Sequence, residues 1–173
     1  MTATSTLPTS PASSPSPSPS PSPWADRMLA LFRIVAGLMF ISAGTMKLVG
    51  FPASPVPMPP VELASQMGVG GLLETVGGLA IVLGLFTRPV AFVLAGEMAV
   101  AYFQFHAPQA LFPTTNGGVT AVLYCFFYLY LVAAGPGAWS VDALLARRAA
   151  RRATRVTAPA RRAGARWVRA ATL

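Results

Sequence analysis

The residues that carry most soluble-enzyme chemistry are nearly absent from this sequence. Its 173 residues include one cysteine, Cys125, and one histidine, His106. A single thiol forms neither an intrachain disulfide nor a CxxC pair, which excludes a self-contained dithiol oxidoreductase. Cys125 reads as a small packing residue. One histidine makes no metal site, and no metal is expected. There is no GKS or GKT phosphate loop, and GVGG at 68–71 lacks the strand and third glycine of a dinucleotide fingerprint. Charge is scarce as well: 10 % of residues are charged and 54 % are hydrophobic, where a globular domain carries roughly a quarter charged.

What replaces charge is length of apolar run. Four stretches, Met28–Val49, Gly68–Phe86, Pro89–Phe105 and Gly117–Gly135, approach or reach the roughly 20 helical residues that cross a hydrocarbon core. None shows the polar stripe that a soluble amphipathic helix repeats every 3.6 residues. The expected fold is all-α, a four-helix transmembrane bundle in one domain over residues 27–138. A Ser/Pro-rich arm, 1–26, precedes it. Alternating Ser-Pro has nothing to bury and cannot form a helix interior, so disorder is expected there. An Arg/Ala-rich tail, 139–173, follows.

The net charge of +8 is local. Up to Ala146 four basic residues face five acidic ones, and the other nine basic residues are arginines between Arg147 and Arg169. The loops 50–67 and 106–116 contain no Lys or Arg, whereas Arg88 lies in the second-to-third connection. By the positive-inside rule both termini and the Arg88 hairpin are cytoplasmic, in a multi-pass plasma-membrane protein. Pro89 suits the first turn of a helix. After Gly135-Pro136-Gly137, Trp139 suits the membrane interface and Ser140 is an N-cap with Asp142 near the positive end of a new helix. Arg147, Arg148, Arg151, Arg152 and Arg155 then share one face. That face either enforces topology against the anionic leaflet or meets a lipid or partner protein; nucleic acid is not expected beside a membrane span.

Two carboxylates stand inside the apolar runs: Glu74 in GGLLETVGGLAIVLGLF and Glu97 in FVLAGEMAVAYF. Arg33, Gly37, Phe40, Gly44 and Lys47 form one stripe of the first span. Gly70, Gly77 and Gly84 form another on the second, with Glu74 between the first two. Val90, Val93, Glu97, Val100 and Gln104 follow on the third, and Gly117, Thr120, Tyr124, Phe127 and Leu131 on the fourth. All can face a bundle centre, and glycine stripes permit close approach. Depth suggests the pairs Arg33 with Glu97 and Lys47 with Glu74. A charge at a helix centre costs about 2.5–3.5 kcal/mol on insertion scales, so these groups either lock helix register or line a polar cavity that binds a ligand or relays protons. Arg33, Lys47, Glu74, Glu97, Gln104, His106 and Asn116 are the candidate ligand-binding residues. Glu74, Glu97 and Arg33 are the catalytic candidates if there is catalysis.

These same residues resemble the DoxX family of small four-helix membrane proteins, over about Met28 to Leu145. The resemblance rests on RIVAGLMFISAGTMKLVGFP, ETVGGLAIVLGLFTRPVA, AGEMAVAYFQFH, NGGVTAVLY and AGPGAWSVDALL in that order. Where family members often carry glutamate after Asn-Gly-Gly, this chain has Val119. The resemblance implies a bacterial plasma-membrane protein akin to the membrane subunit of thiosulfate:quinone oxidoreductase and to membrane partners of redox-defence enzymes. Three functions compete: a quinone-linked or accessory redox subunit with a redox partner protein, a non-catalytic scaffold for a soluble enzyme, and a small proton-coupled transporter, which at four spans needs a homo-oligomer. The chain itself shows no flavin, haem or iron–sulfur ligand set, so a quinone is the one cofactor that the first reading calls for.

Overall fold

The computed structural model describes residues 22–54 and 61–154, and these are helical with no strand among them. The elements are α1 (Pro23–Val49), α2 (Gln66–Leu83), α3 (Thr87–Ala101) continued by a π-helical turn (Tyr102–His106), α4 (Val119–Ala134), and α5 over residues 141–154. Helix α1 starts at Pro23, so residues 23–26, expected in the N-terminal arm, are helical. The arm's residues 1–21 and the tail from Arg155 onward lie outside the described residues. By length and composition α1 and α2 can cross a membrane, while α4 is a shorter apolar helix of 16 residues.

Local chemistry sets the ends. Asp26 sits in the first turn of α1 and Lys47 in its last, each complementing the helix dipole. Gly50 closes α1 in the left-handed conformation (φ 71°), its N–H donating to Met46 O. Ser65 Oγ caps α2 by accepting from Gly68 N at 3.1 Å. Gly84 (φ 64°) ends α2, and Leu85 N donates back to Ala80 O, which tightens the turn into α3.

Helices α1 and α2 approach closely enough for backbone to meet backbone. A methyl group at Gly37 would stand 2.8 Å from Gly78 O, and one at Gly78 would stand 2.8 Å from Gly37 O. Gly44 meets Gly71 and Thr75 in the same way one heptad along. On α1 these are the glycines of the expected stripe. On α2 they are not: Gly71 and Gly78 face α1, whereas Gly70 and Gly77 turn toward Glu97 and Leu94 of α3. The helix uses two glycine faces, one toward each neighbour.

Phe40 on α1 meets α4 edge-on, its ring centroid 4.8 Å from those of both Tyr124 and Tyr128. Ile81, Leu94 and Leu131 complete this core. The outside is apolar too: Phe32, Leu72, Phe92, Leu123 and Phe126 are all more than half exposed. So broad an uncovered apolar surface is that of a protein solvated by lipid.

Two expected faces are corrected. On α3 the buried residues are Thr87, Ala91, Leu94, Ala95 and Met98; Val93 and Val100 are about half exposed. On α4 they are Ala121, Tyr128 and Leu131, while Thr120 is exposed. Equal hydrophobicity on all sides left the sequence no contrast from which to choose the inner face.

Candidate functional site

The charged residues inside the apolar runs separate into two clusters, around Arg33 and Lys47, 14 residues apart on α1, or about 21 Å at 1.5 Å per residue. At the end of the α2–α3 hairpin, Arg33 is fully buried and paired with backbone alone. Its Nη1 donates to Val82 O at 2.7 Å and to Ile81 O, its Nε to Pro136 O at 2.9 Å, and its Nη2 to Trp139 O at 3.0 Å and Ala138 O at 3.5 Å. Ile81 and Val82 belong to the last turn of α2, whose carbonyls lack the usual i+4 partner and carry the negative end of the dipole, although Ile81 O also accepts from Gly84 N at 3.1 Å. A planar guanidinium with five donors is suited to such a cage. Trp139 adopts φ 53°, uncommon for a bulky residue, and from there its carbonyl meets Arg33.

The expected Arg33–Glu97 pair is therefore absent. Side chains on a helix lean toward its N-terminus, which carries Arg33 to the hairpin end and away from Glu97. Asp142 completes this end of the molecule. Its carboxylate accepts from Phe86 N and Thr87 N, each at 2.9 Å, and so caps α3 across a separation of 55 residues or more. Ser140 caps α5 as expected, accepting from Ala143 N at 3.1 Å.

At the other end Lys47 and Glu74 do pair. Lys47 Nζ donates to both carboxylate oxygens of Glu74, at 2.6 and 2.7 Å, with Glu74 buried. The same N-terminal lean brings Lys47 inward from the rim. Beside them opens a cavity of about 490 Å³ that includes Lys47, Glu74, Glu97 and His106 in its lining, among apolar groups such as Leu73, Val93, Met98 and Phe105. Glu97 reaches into it from α3. Its Oε2 is buried with no hydrogen-bond partner, and its Oε1 lies where Gly70 leaves room, 3.3 Å from the position a Cβ would take.

His106 owes its place to the π-helical turn. The wider turn, closed by Ala107 N donating to Tyr102 O at 2.9 Å, resets the direction of the side chains beyond α3. Phe105 and His106 consequently line the cavity, while Gln104, expected on the inward stripe, is exposed. Gln104 instead accepts a hydrogen bond from Gln66 Nε2, on the first residue of α2 at the cavity wall. Asn116 is buried, but it organises its loop: its Nδ2 donates to Ala110 O and its Oδ1 accepts from Gly118 N. It serves the cavity indirectly, since its carbonyl accepts from His106 Nδ1 at 3.0 Å.

Of the seven expected site residues, the cavity thus gathers Lys47, Glu74, Glu97 and His106, with Gln104 and Asn116 one contact away and Arg33 at the far end. Val119 is exposed at the start of α4, and the next two residues, Thr120 and Ala121, line the cavity. The sequence reading missed Tyr128, fully buried with its hydroxyl unpartnered and within electrostatic range of Glu97 and Glu74. Its spacing from Tyr124, four residues on, was the available signal. Trp139 and Arg147, Arg148, Arg151 and Arg152 are exposed; Arg155 lies outside the described residues. Among the described residues no three His, Cys, Asp or Glu side chains converge.

The model of the DoxX family matches residues 28–107. The chain is 43 % identical over 117 residues to an uncharacterized protein of Haemophilus influenzae, covering 66 % of this chain and 87 % of the relative. It is 33 % identical over 126 residues to the inner membrane protein YqjF of Escherichia coli, covering 65 % and 88 %. No solved structure matches it.

Proposed function

This chain belongs to the DoxX family, and on that footing we propose that it is a four-span plasma-membrane protein whose cavity binds a quinone-type ring, as a quinone-linked or accessory subunit of a membrane redox system. Helix α3 and its π-helical turn together supply 20 residues, and α4 supplies 16, about 24 Å of rise. With both termini cytoplasmic, the cavity opens near the outer face and Arg33 lies near the inner one. The absence of Lys and Arg from the loops 50–67 and 106–116, against Arg88 and the arginine tail, supports that orientation.

One observation carries the binding reading: Glu97 presents a buried, unpartnered carboxylate oxygen to a mainly apolar cavity of about 490 Å³, a size within the range of small-molecule sites. A register lock would have satisfied that oxygen, as Lys47 satisfies Glu74. An apolar ring with polar substituents matches walls of Leu73, Val93 and Met98 with Glu97 and His106 between them. Electrons would pass to or from a partner protein.

The test is to purify the protein in mild detergent, extract it with organic solvent and identify any quinone released. Native protein should yield quinone in near-stoichiometric amount. Glu97→Gln should yield about tenfold less, the equivalent of one charge-assisted hydrogen bond lost from a hydroxyl of the reduced, quinol form, with thermal stability unchanged. No quinone from the native protein, or equal quinone from the variant, overturns the reading. A second reading, a scaffold for a soluble enzyme, is favoured by the exposed arginines of α5, a helix tied to the α2–α3 hairpin through Asp142.

A further inference from the structure

The cavity does not end at its polar wall. A second cavity of about 550 Å³ runs between α2 and α3 toward the hairpin, lined by apolar residues that include Val76, Ala80, Phe86 and Pro89. Leu73 and Val93 line both cavities. The two adjoin at these residues and together extend along α2 from Gln66 to Ala80, about 21 Å at 1.5 Å per residue. The combined cavity is polar at one end and greasy at the other. Its floor is the contact of Gly77 with Leu94, where a Cβ on Gly77 would stand 2.8 Å from Leu94 Cδ2. Its sides, Val76, Val93 and Phe86, are each about half exposed or more, so it is open to the surrounding acyl chains along its length.

The polar end has a sign. Lys47 is the cation of the cavity, and its ammonium is already engaged by both oxygens of Glu74. In its ionised form the Glu97 carboxylate accepts hydrogen bonds and donates none, and in that form its unpartnered Oε2 takes a donor. His106 has the same requirement. Its Nδ1 faces the carbonyl oxygen of Asn116 at 3.0 Å and must donate to it; in the neutral ring that leaves Nε2 as an acceptor. The cavity lining thus offers acceptors in ionised Glu97 and the neutral His106 ring, and its one ammonium is spent.

We propose that the occupant is a single-chain amphiphile held lengthwise, with a hydrogen-bond-donating head against Glu97 and His106 and an alkyl tail between α2 and α3. A phenolic hydroxyl and an ammonium share this donor chemistry; a carboxylate head lacks it and meets Glu97 as a like charge. The inference rests on the binding role given to the cavity above, and adds the polarity of the head and the path of the tail.

The experiment uses the full chain in mild detergent and native mass spectrometry, with 4-dodecylphenol, dodecylamine, dodecanoate and 4-ethylphenol added separately at equal concentration. Dodecylphenol and dodecylamine should each bind at least about tenfold more than dodecanoate, the equivalent of one charge-assisted hydrogen bond, and dodecylphenol should likewise exceed ethylphenol. The ratio between the two donor heads tells a neutral from a charged occupant. Glu97→Gln should bring dodecylamine down to the level of dodecanoate. Val93→Trp, at a half-exposed position where the cavities join, should remove the advantage of dodecylphenol over ethylphenol. Dodecanoate binding as well as the donor heads overturns the polarity of the head, and ethylphenol binding as well as dodecylphenol overturns the path of the tail. Absence of quinone from the purified protein, with these preferences intact, removes the redox reading alone.

Discussion

Replacing Arg33 by methionine separates a structural cation from a reactive one. The guanidinium is fully buried, and three of its bonds to carbonyl oxygens lie between 2.7 and 3.0 Å. Hydrogen bonds to charged groups contribute about 1.5–3 kcal/mol each, and a buried acceptor left bare costs about 1–3 kcal/mol. Methionine fills the volume and offers no donor, so Val82, Pro136 and Trp139 lose their partners together. Water reaching the 135–140 loop recovers part of the loss, leaving about 4 kcal/mol. For a chain of this size each kcal/mol moves Tm by about 2–4 °C, so the midpoint in detergent should fall by about 8–16 °C. Lysine keeps the charge but not the planar fork, and Arg33→Lys should recover about half of that fall. Retention of the cavity ligand, measured below the midpoint, should be unchanged in both variants. The combination of Arg33→Met with Glu97→Gln should be additive within about 0.5 kcal/mol, as for sites that share no partner. An Arg33→Met midpoint within about 2 °C of native would refute the clamp, and strong coupling to Glu97 would restore the ion pair that the geometry denies.

The other expectations are shorter. Lys47→Met leaves Glu74 buried and unpaired and should cost about 3–5 kcal/mol, whereas adding Glu74→Leu should return most of it; a double variant no more stable than the single, by thermal melting, refutes the pairing as the reason. Asp142→Ala removes the acceptor for Phe86 N and Thr87 N and should cost about 1–2 kcal/mol as a lost helix cap, with Asp142→Asn losing less; equal midpoints for Ala and native argue against the cap. In a Cys125→Ser background, single cysteines at Ser54 and Thr114 should react with a membrane-impermeant maleimide on intact cells. Labelling of either only after permeabilisation would invert the proposed orientation.

Glu74 and Glu97 could be singled out from the sequence because a carboxylate in an apolar run is conspicuous wherever it sits. The helical, apolar character of the chain was readable for the same reason, since chain composition alone reports what solvent the surface meets. The α1 stripe of Arg33, Gly37, Phe40, Gly44 and Lys47 was also legible: five residues distinct from their neighbours repeat at 4, 3, 4, 3, and the Lys47–Glu74 pair followed from depth. Tertiary structure decided the rest. It chose Gly71 and Gly78 over Gly70 and Gly77 to meet α1, because a helix apolar on every side carries no internal mark of its inner face. It sent Arg33 to the carbonyls of α2 and the 135–140 loop, partners that have no side-chain signature. It brought His106 into the cavity and turned Gln104 out of it through one π-helical turn, a change of winding that no periodic extrapolation contains. And it left one oxygen of Glu97 without a partner, because whether a buried carboxylate is satisfied depends on which donors the neighbouring helices place within reach.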